Sequence, residues 1–505
     1  MQHQQTARSR RSLRAKASSN IASSNIASVS IASGNIPSVS IASIAIAAFC
    51  LACSSGQVDL GDGTLSQNLE PTSRCGESTS IAEDFQIDSQ SELDELRGCE
   101  QVKSIAIAPF EGIDLTALSS LRSVGRFEIG ADPFTLPESY EEQEPIFAAR
   151  QAILDAGWLP SLHGLEALES IEVLYLTGAA IEDFKELESL TTISQGLLPR
   201  STHRLRNFRG LERAPVTFLW VSDAPALTSL DGLDVPPLAQ TIIIERAENL
   251  ANADVLAEVT SLDTLILNGT RLAALPSFVQ PLGAVSISIE GNAELTSIDS
   301  LAPLQGVGNL TIAGNAKLRS IPRFADLVSI ETFSVIGNAS LEEVAIDFPA
   351  QEPQYWNLRQ RDVEIHQPII EIALNDTLKR ITSPGAIESL ELLSIEENPQ
   401  LTDVDLGGLE RTDLLLLLNN ASLENVTAPA LAAVDNLEVT DNPRFVPSVF
   451  DDIPTFSRVI SGNAAPAASD APDAPDAEDA PTDDADPDAP AADAGAGEPS
   501  EPDAP

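Results

Sequence analysis

A dense group of arginines is the part of this sequence best suited to chemistry. Five of them, Arg200, Arg204, Arg206, Arg209 and Arg213, fall within fourteen residues of a chain whose formal net charge is −47. A planar guanidinium group donates paired hydrogen bonds to carboxylate, sulfate or phosphate groups. The cluster therefore predicts a site for an anionic ligand. Two alternatives are ion pairs with acids of the body and occupation by the chain's own acidic C-terminus.

Large apolar residues near this cluster form a second candidate surface. Tyr175, Trp220, Ile243 and Ile266 are the middle residues of short apolar-x-apolar segments, and Phe218 precedes Trp220 by two positions. The middle side chain of such a strand faces away from the core, and exposed apolar clusters often mark binding surfaces. We expect these five residues to join the arginines in one contact zone. The alternative is that flanking insertions cover them as a small secondary core.

The sequence carries no signature of catalysis. Its four histidines, at 3, 163, 203 and 366, belong to no HExxH motif, and there is no nucleophile elbow or phosphate-binding loop. Acidic residues are plentiful, but a pair at catalytic distance cannot be identified from sequence. We therefore expect no enzyme, no catalytic residues, no cofactor and no metal site. The alternative from another class is a polysaccharide-degrading β-helix enzyme.

The first 53 residues predict export. They carry five basic residues and no acids, and their most apolar part runs from Ile41 to Ala52, which is the order of charges and apolar residues in a signal peptide. The sequence Leu51-Ala52-Cys53 resembles the end of a bacterial lipoprotein signal. The resemblance implies acylation of Cys53, outer-membrane localisation, and membrane contact through a lipid anchor only. An ordinary cleaved signal or a retained anchor is the alternative.

Composition divides the rest of the chain. Residues 54–74 are rich in Gly, Ser and Thr and predict a flexible tether, and 75–462 form the body. Residues 463–505 contain thirteen acids and no bases, so we expect a disordered acidic tail. The strongly negative charge excludes nucleic acid as a partner, since that partner requires clustered Lys and Arg.

A repeat of 22 or 23 residues organises the body. Counted on one asparagine-rich position, it recurs at 224, 247, 270, 292, 315, 338, 375, 398, 420 and 442. A period of this length is typical of a solenoid. In the unit Leu310-x-Ile312-x-x-Asn315, the spacing predicts a short strand followed by a bend in which the asparagine amide satisfies backbone groups. We predict one β-solenoid of 14–16 coils with a stacked asparagine ladder.

Two upstream gaps and one downstream insertion interrupt the repeat. Equivalent positions at 110, 132 and 179 leave gaps at 133–178 and 180–223, either of which could contain a degenerate coil. The first gap also predicts a short helix that starts at Pro145 and ends before Gly157. About 14 extra residues around Tyr355 and Trp356 predict a lateral loop.

Two cysteines remain in the body, Cys75 and Cys99. In an exported chain such a pair is a disulfide candidate, with a metal pair as the alternative. The segment from Cys75-Gly76 through Leu93, Leu96 and Cys99 to Ile105-x-Ile107 resembles the start of a receptor L domain, a leucine-rich right-handed β-helix. The downstream repeat is similar to both L domains and leucine-rich repeats. The resemblance implies a Cys75–Cys99 disulfide that closes the first coil.

These observations together predict an exported, non-catalytic protein of the cell envelope. Its role would be recognition or adhesion, through a solenoid face that binds an extended protein or an anionic glycan. A structural envelope spacer is a further alternative.

Overall fold

The computed structural model of the chain describes residues 74–75, 79–131, 140–346, 367–383 and 387–465. All of them lie in one compact unit, Pro71–Pro505. The predicted signal with Cys53, almost all of the predicted tether, the insertion around Tyr355 and Trp356, and the tail beyond residue 465 lie outside the described residues.

A single parallel sheet runs from β1 to β20, between Ser80 and Ser461. Its strands follow one another in chain order as the coils of a β-solenoid, which confirms the predicted fold class. Within the described residues there are sixteen strands in this sheet, one for each coil: β1 (Ser80–Ile87), β2 (Gln101–Ile107), β3 (Ser123–Ile129), β4 (Ser170–Thr177), β5 (Thr192–Arg200), β6 (Phe218–Ser222), β7 (Thr241–Glu245), β8 (Ser261–Asn268), β9 (Gly283–Glu290), β10 (Gly306–Ala313), β11 (Thr332–Ile336), β13 (Ile369–Ala373), β15 (Ser389–Glu396), β17 (Arg411–Leu418), β19 (Ala433–Thr440) and β20 (Ser457–Ser461).

A second, shorter parallel sheet lies on the return side of the C-terminal coils. It comprises β12 (Glu343–Ala345), β14 (Arg380–Thr382), β16 (Asp403–Asp405) and β18 (Asn425–Thr427). The helices are α1 (Gln90–Asp94) and α2 (Tyr140–Asp155), with 3-10 turns at Leu115–Leu118, Lys185–Leu187, Asp254–Glu258, Asp299–Leu301 and Pro447–Phe450. Over the described part of the chain, neither helix has the length and apolar character needed to cross a bilayer.

The core is built from the inward-facing side chains, which alternate with outward-facing ones along each strand. Leu310 pairs with Ile287 on one side and Phe333 on the other, and all three are fully buried. Because alternate residues face opposite sides of a sheet, each coil adds aliphatic side chains to the same internal columns. A coil is therefore covered by its two neighbours, which is the source of stability in a solenoid.

The predicted asparagine ladder is present and forms the inner corners from the end of β9 to the end of β20. The Oδ1 atom of Asn315 accepts the backbone N–H of Asn292 at 3.1 Å and its Nδ2 at 3.2 Å, while Asn292 Nδ2 also donates to the Leu267 carbonyl at 2.9 Å. The pattern continues through Asn338, Asn375, Asn398, Asn420 and Asn442 to Asn463, a rung that the sequence analysis had assigned to the tail. Buried backbone groups at these corners are thus satisfied.

The residue before each rung takes a left-handed backbone conformation. In four successive coils this residue is a glycine with φ near +65°, such as Gly314 at +64°. Glycine has no Cβ to clash in this region. Elsewhere the corner accepts other residues at the same position: Ser201, Asp223, Arg246, Leu374, Glu397, Asn419 and Asp441.

The two upstream gaps have different contents. β3 pairs directly with β4, so the first gap contributes no strand to the sheet. The second contains β5, a full coil whose rung is the buried Thr202. The predicted helix exists, but it starts at Tyr140, so Pro145 lies inside it and the predicted start was wrong.

A disulfide closes the N-terminal end, as predicted. Cys75 and Cys99 are bonded, with their Cα atoms 5.5 Å apart. Both are buried against Leu93 and Leu96 of the first turn. The covalent link and α1 together cover the first coil, where no preceding coil is available to do so.

Candidate binding surface

The outward row of the main sheet contains the predicted apolar residues. Strand registers align Tyr175 with Leu198, and Trp220 with Ile243 and Ile266. Phe218 lies on the same face, two residues before Trp220. The structure therefore brings all five predicted apolar residues onto one face of coils β4–β8, and adds Leu198 to them.

Their exposure differs from the expectation. Trp220 and Ile243 are buried, at 5% and 3% relative exposure, whereas Tyr175, Phe218 and Ile266 are half-buried. The prediction that Trp220 and Ile243 face solvent freely was wrong. Neighbouring coils lie only about 4.8 Å apart, so large side chains in adjacent rows cover one another.

Guanidinium groups cover the aromatic rings on this face. The Cζ atom of Arg200 lies 4.8 Å from the centre of the Trp220 ring, and that of Arg126 lies 4.6 Å from the centre of the Tyr175 ring. Each is a cation–π contact between adjacent coils. The Trp220 Nε1 also donates to Glu245 at 3.2 Å. One face of each ring is thus covered. The Arg126 guanidinium in turn donates to Glu128, so the edge of the Arg200 guanidinium is the part that a ligand could contact.

The remaining arginines lie around the corner from the sheet. Arg200 ends β5, the chain turns at Ser201 and Thr202, and Arg204 follows on the next side of the coil. Arg206, Arg209 and Arg213 lie further along the return segment and are exposed. The predicted cluster is therefore a band around one coil, and only Arg200 shares a face with the aromatic residues.

Acidic partners are scarce in this band. Among the described residues, one ion pair involves it, between Arg206 and Glu182 at 3.8 Å with both side chains largely exposed. Arg204, Arg209 and Arg213 have no ion-pair partner there, so pairing with the body's own acids does not account for the cluster. By contrast, Arg122, Arg411 and Arg444 elsewhere on the body each pair with a carboxylate.

The next corner of the solenoid has a bidentate ion pair. Arg246 donates to both carboxylate oxygens of Asp223, with its Nη2 at 2.8 Å from Oδ2. The hydrogen bond from Arg246 lowers the pKa of Asp223, and the positive charges of His203 and Arg200 add to the effect. This pair borders the band of arginines on its C-terminal side and keeps Asp223 charged.

A cavity of about 210 Å³ opens beside Arg204. It is lined by Pro160, Ser161, Ala180, Ile181, Glu182, Asp183, Lys185, Glu186 and Arg204. Arg204 also lies against the end of α2, because a Cβ atom on Gly157 would be 3.3 Å from its Nη2. Three carboxylates against two cations give this cavity a mixed charge that does not select an anion.

Further along the same face are carboxylates that the sequence did not single out. Glu371 of β13 lies beside Ser334, and burial together with the charge of Glu396 raises its pKa. Glu371 and Glu396 belong to no sequence motif, and only the pairing of β13 with β15 brings their side chains together. No group of three or more His, Cys, Asp or Glu in the described ranges is placed to hold a metal ion.

Sequence reasoning also missed Leu198, Arg126 and Glu245. Leu198 was missed because its coil carries Thr202 and not asparagine at the rung. A search for Leu-x-x-x-x-Thr would have found it, since Leu265 precedes Thr270 at the same spacing as Leu197 precedes Thr202. No local sequence pattern marks Arg126 or Glu245, because each contacts an aromatic residue of the neighbouring coil, Tyr175 and Trp220 respectively.

No protein-family model and no curated protein sequence matches the chain. Solved structures do match it. Among them, a leucine-rich repeat protein from Bacteroides ovatus aligns with 69% of this chain and 79% of its own, at 13% sequence identity and a TM-score of 0.25. The resemblance to receptor L domains stays a prediction. The assignment of this chain to the leucine-rich-repeat-like β-solenoids rests on its own strand registers and its ladder.

Proposed function

We propose that the protein is a non-catalytic recognition or adhesion protein that binds an extended anionic partner, a polypeptide or a polysaccharide, at the coil that contains β5. The observation that carries the proposal is the exposed Arg200 guanidinium stacked on the buried Trp220 ring. This contact holds the guanidinium over the ring, and its N–H groups make no hydrogen bond to any described residue. A donor fixed before binding loses little conformational freedom when it binds.

The adjacent arginines extend this binding edge. Arg204 follows Arg200 around the corner, and Arg209 and Arg213 continue along the same coil without acidic partners among the described residues. Charge-assisted hydrogen bonds to carboxylate or sulfate groups are the strongest polar contacts available here. A partner of repeated negative charge would engage several of them at once.

We also propose export and anchoring through a lipid at Cys53. The Cys75–Cys99 disulfide supports export, because disulfides persist in oxidising compartments. The basic and then apolar N-terminal sequence supports a signal. Mass spectrometry of the membrane fraction tests the anchor: the expected N-terminal peptide begins at Cys53 with acyl chains, and an unmodified Cys53 contradicts it.

The binding role is tested on an array of anionic glycans and acidic polypeptides. The full chain is compared with an Arg200→Glu/Arg204→Glu variant, which reverses two charges at the corner. We expect binding to fall at least about tenfold, because each lost charge-assisted contact contributes about 1.5–3 kcal/mol. The matched control is Arg271→Glu/Arg319→Glu, which makes the same charge change on exposed residues of other coils.

Three outcomes would contradict the proposal. Equal binding by both variants would remove the corner as the site. Release of sugar fragments from a bound polysaccharide would favour the enzyme alternative. Absence of binding to every probe would favour a structural spacer.

A further inference from the structure

The arginine band is unusual in a body whose other exposed cations are mostly neutralised. Lys103, Lys317 and Lys379 each contact a carboxylate of a neighbouring coil. Arg204, Arg209 and Arg213 have none within the described ranges, although acids outnumber bases 76 to 29 in the whole chain. Counting Arg200, four exposed cations of one coil make no ion pair with a described residue, and they form a surface that is complementary to a polyanion.

The chain itself supplies such a polyanion. Residues 466–505 contain thirteen acidic residues and no basic ones. Asp470, Asp473, Asp476 and Asp479 recur every third residue among alanines and prolines, with Glu478 between the last two. The segment therefore offers repeated negative charge to several guanidinium groups at once.

The point at which this segment leaves the body is favourable for such a contact. The last described rung is Asn463, and the arginine band flanks the rung Thr202, so both lie on the same corner of the solenoid. Between β5 and β20 there are eleven strand spacings, or about 53 Å at about 4.8 Å each. The segment 466–505 can span at most about 130 Å at about 3.3 Å per residue, so more than half of its length remains once the intervening coils are crossed.

The charges on the solenoid corner between Asn463 and Thr202 do not favour binding of residues 466–505 close to Asn463. Asp441 and Glu397 occupy the positions before their rungs, and Arg444 is paired with Glu424. Like charges repel the acidic segment there. Arg271 is the one cation of its coil, and Arg319 shares its coil with Arg323 and with Lys317, which is paired with Glu294.

We propose that residues 466–505 bind the arginines on both sides of the Thr202 corner and so act as an intramolecular competitor for external anions. The contact itself is independent of the proposed function, and only the competition rests on it. Binding within one chain benefits from a high effective concentration, whereas the single contacts are weak and screened by salt. Occupancy of the arginines is therefore controlled by ionic strength and by multivalent partners.

Energy transfer in the full chain tests the contact. Donor and acceptor dyes are placed, through unnatural amino acids, at residue 505 and at the exposed Ser194 of the β5 coil. We expect strong transfer at about 0.01 M salt, where the screening length is about 30 Å, and its loss at about 1 M, where it is about 3 Å. An Arg204→Glu/Arg209→Glu/Arg213→Glu variant is expected to lose the transfer already at low salt.

Two matched variants complete the test. Arg271→Glu/Arg319→Glu is expected to keep the transfer, and a chain whose eight acids after residue 482 are changed to amides is expected to lose it at unchanged length. Transfer that persists in the triple variant, or in the amide variant, overturns the proposal. If transfer behaves as expected but the array shows no external ligand, the contact stands and the recognition function fails.

Discussion

Each rung of the ladder is a buried side chain whose hydrogen bonding is decided by the residue one coil further on. Thr270 lies before Asn292, and its hydroxyl donates to Asn292 Oδ1 at 2.6 Å. Thr202 lies before Ala224, which offers no acceptor, and its buried hydroxyl has no hydrogen-bond partner. The same residue type at the same position is therefore stabilising in one coil and costly in the other.

Substitution by valine separates these two cases. We expect Thr202→Val to raise the free energy of unfolding by about 1 kcal/mol, because it removes a buried hydroxyl without a partner. Thr270→Val should lower it by about 1–2 kcal/mol, because a made hydrogen bond is lost. Denaturant titration of both variants measures the two changes, and equal signs would contradict the account.

The carboxylate of Glu371 predicts a pH dependence of stability. Its pKa is raised in the folded protein by burial and by Glu396, so ionisation of Glu371 is less favourable in the folded state than in the unfolded state. Above the raised pKa, this difference lowers the free energy of unfolding by its full amount. The loss disappears as the pH falls through the raised pKa to the ordinary pKa of a glutamate. Glu371→Gln should therefore be more stable than the parent at neutral pH and lose this advantage below about pH 4.

Thermal unfolding of the two proteins across this pH range measures the effect. Glu438→Gln is the control, because Glu438 occupies the same outward row in β19. An advantage of Glu371→Gln that is constant with pH would show that packing, and not ionisation, is responsible.

At the scale of the element, the unit is one coil with its strand, its corner and its return. The rung asparagine connects these parts, since Asn375 receives two hydrogen bonds from Asn338 and donates to Asn398 as well as to the Val335 and Ala373 carbonyls. In a solenoid each coil contacts only its neighbours. The ladder is thus a polar spine parallel to the apolar core.

Removal of one rung should weaken several coils together. We expect Asn375→Ala to cost about 3–5 kcal/mol, because the buried backbone N–H of Asn338 loses its acceptor, and Asn398 Oδ1 and the Val335 carbonyl each lose a donor. Hydrogen exchange should show the loss of protection concentrated in the coils of β11, β13 and β15. The exposed Asn249, which donates to one carbonyl only, is the control. Equal effects of the two alanine variants would exclude a structural ladder.

At the scale of the whole molecule, the two ends of the described solenoid are closed by different means. The N-terminal coil is closed by α1 and the Cys75–Cys99 disulfide. At the C-terminal end, Arg458 occupies an inward strand position and donates to the Ile453 carbonyl at 3.1 Å. A covalent closure at one end and a polar one at the other predict different local stabilities.

Removal of the disulfide tests this difference. We expect Cys75→Ser/Cys99→Ser to lower stability by about 3 kcal/mol, because the closed loop of 24 residues restricts the unfolded chain. Because coils interact only with neighbours, the loss of exchange protection should be confined to β1–β3. Uniform loss along the chain would show instead that the solenoid unfolds as one cooperative unit.

The sequence alone determined the period, the inward columns and the asparagine ladder. These follow from local spacing, because alternation in a strand and a fixed rung repeat in every coil. The Cys75–Cys99 disulfide was expected from two remaining cysteines in an exported chain and from the receptor L domain resemblance, and the structure confirms it. Only the tertiary structure decided that β5 fills the second gap, that Trp220 is buried beneath Arg200, and that Arg204 and Trp220 lie on different sides of a corner. Those facts depend on what stands one coil away, about 22 or 23 residues distant in the chain, where one sequence carries no direct signal.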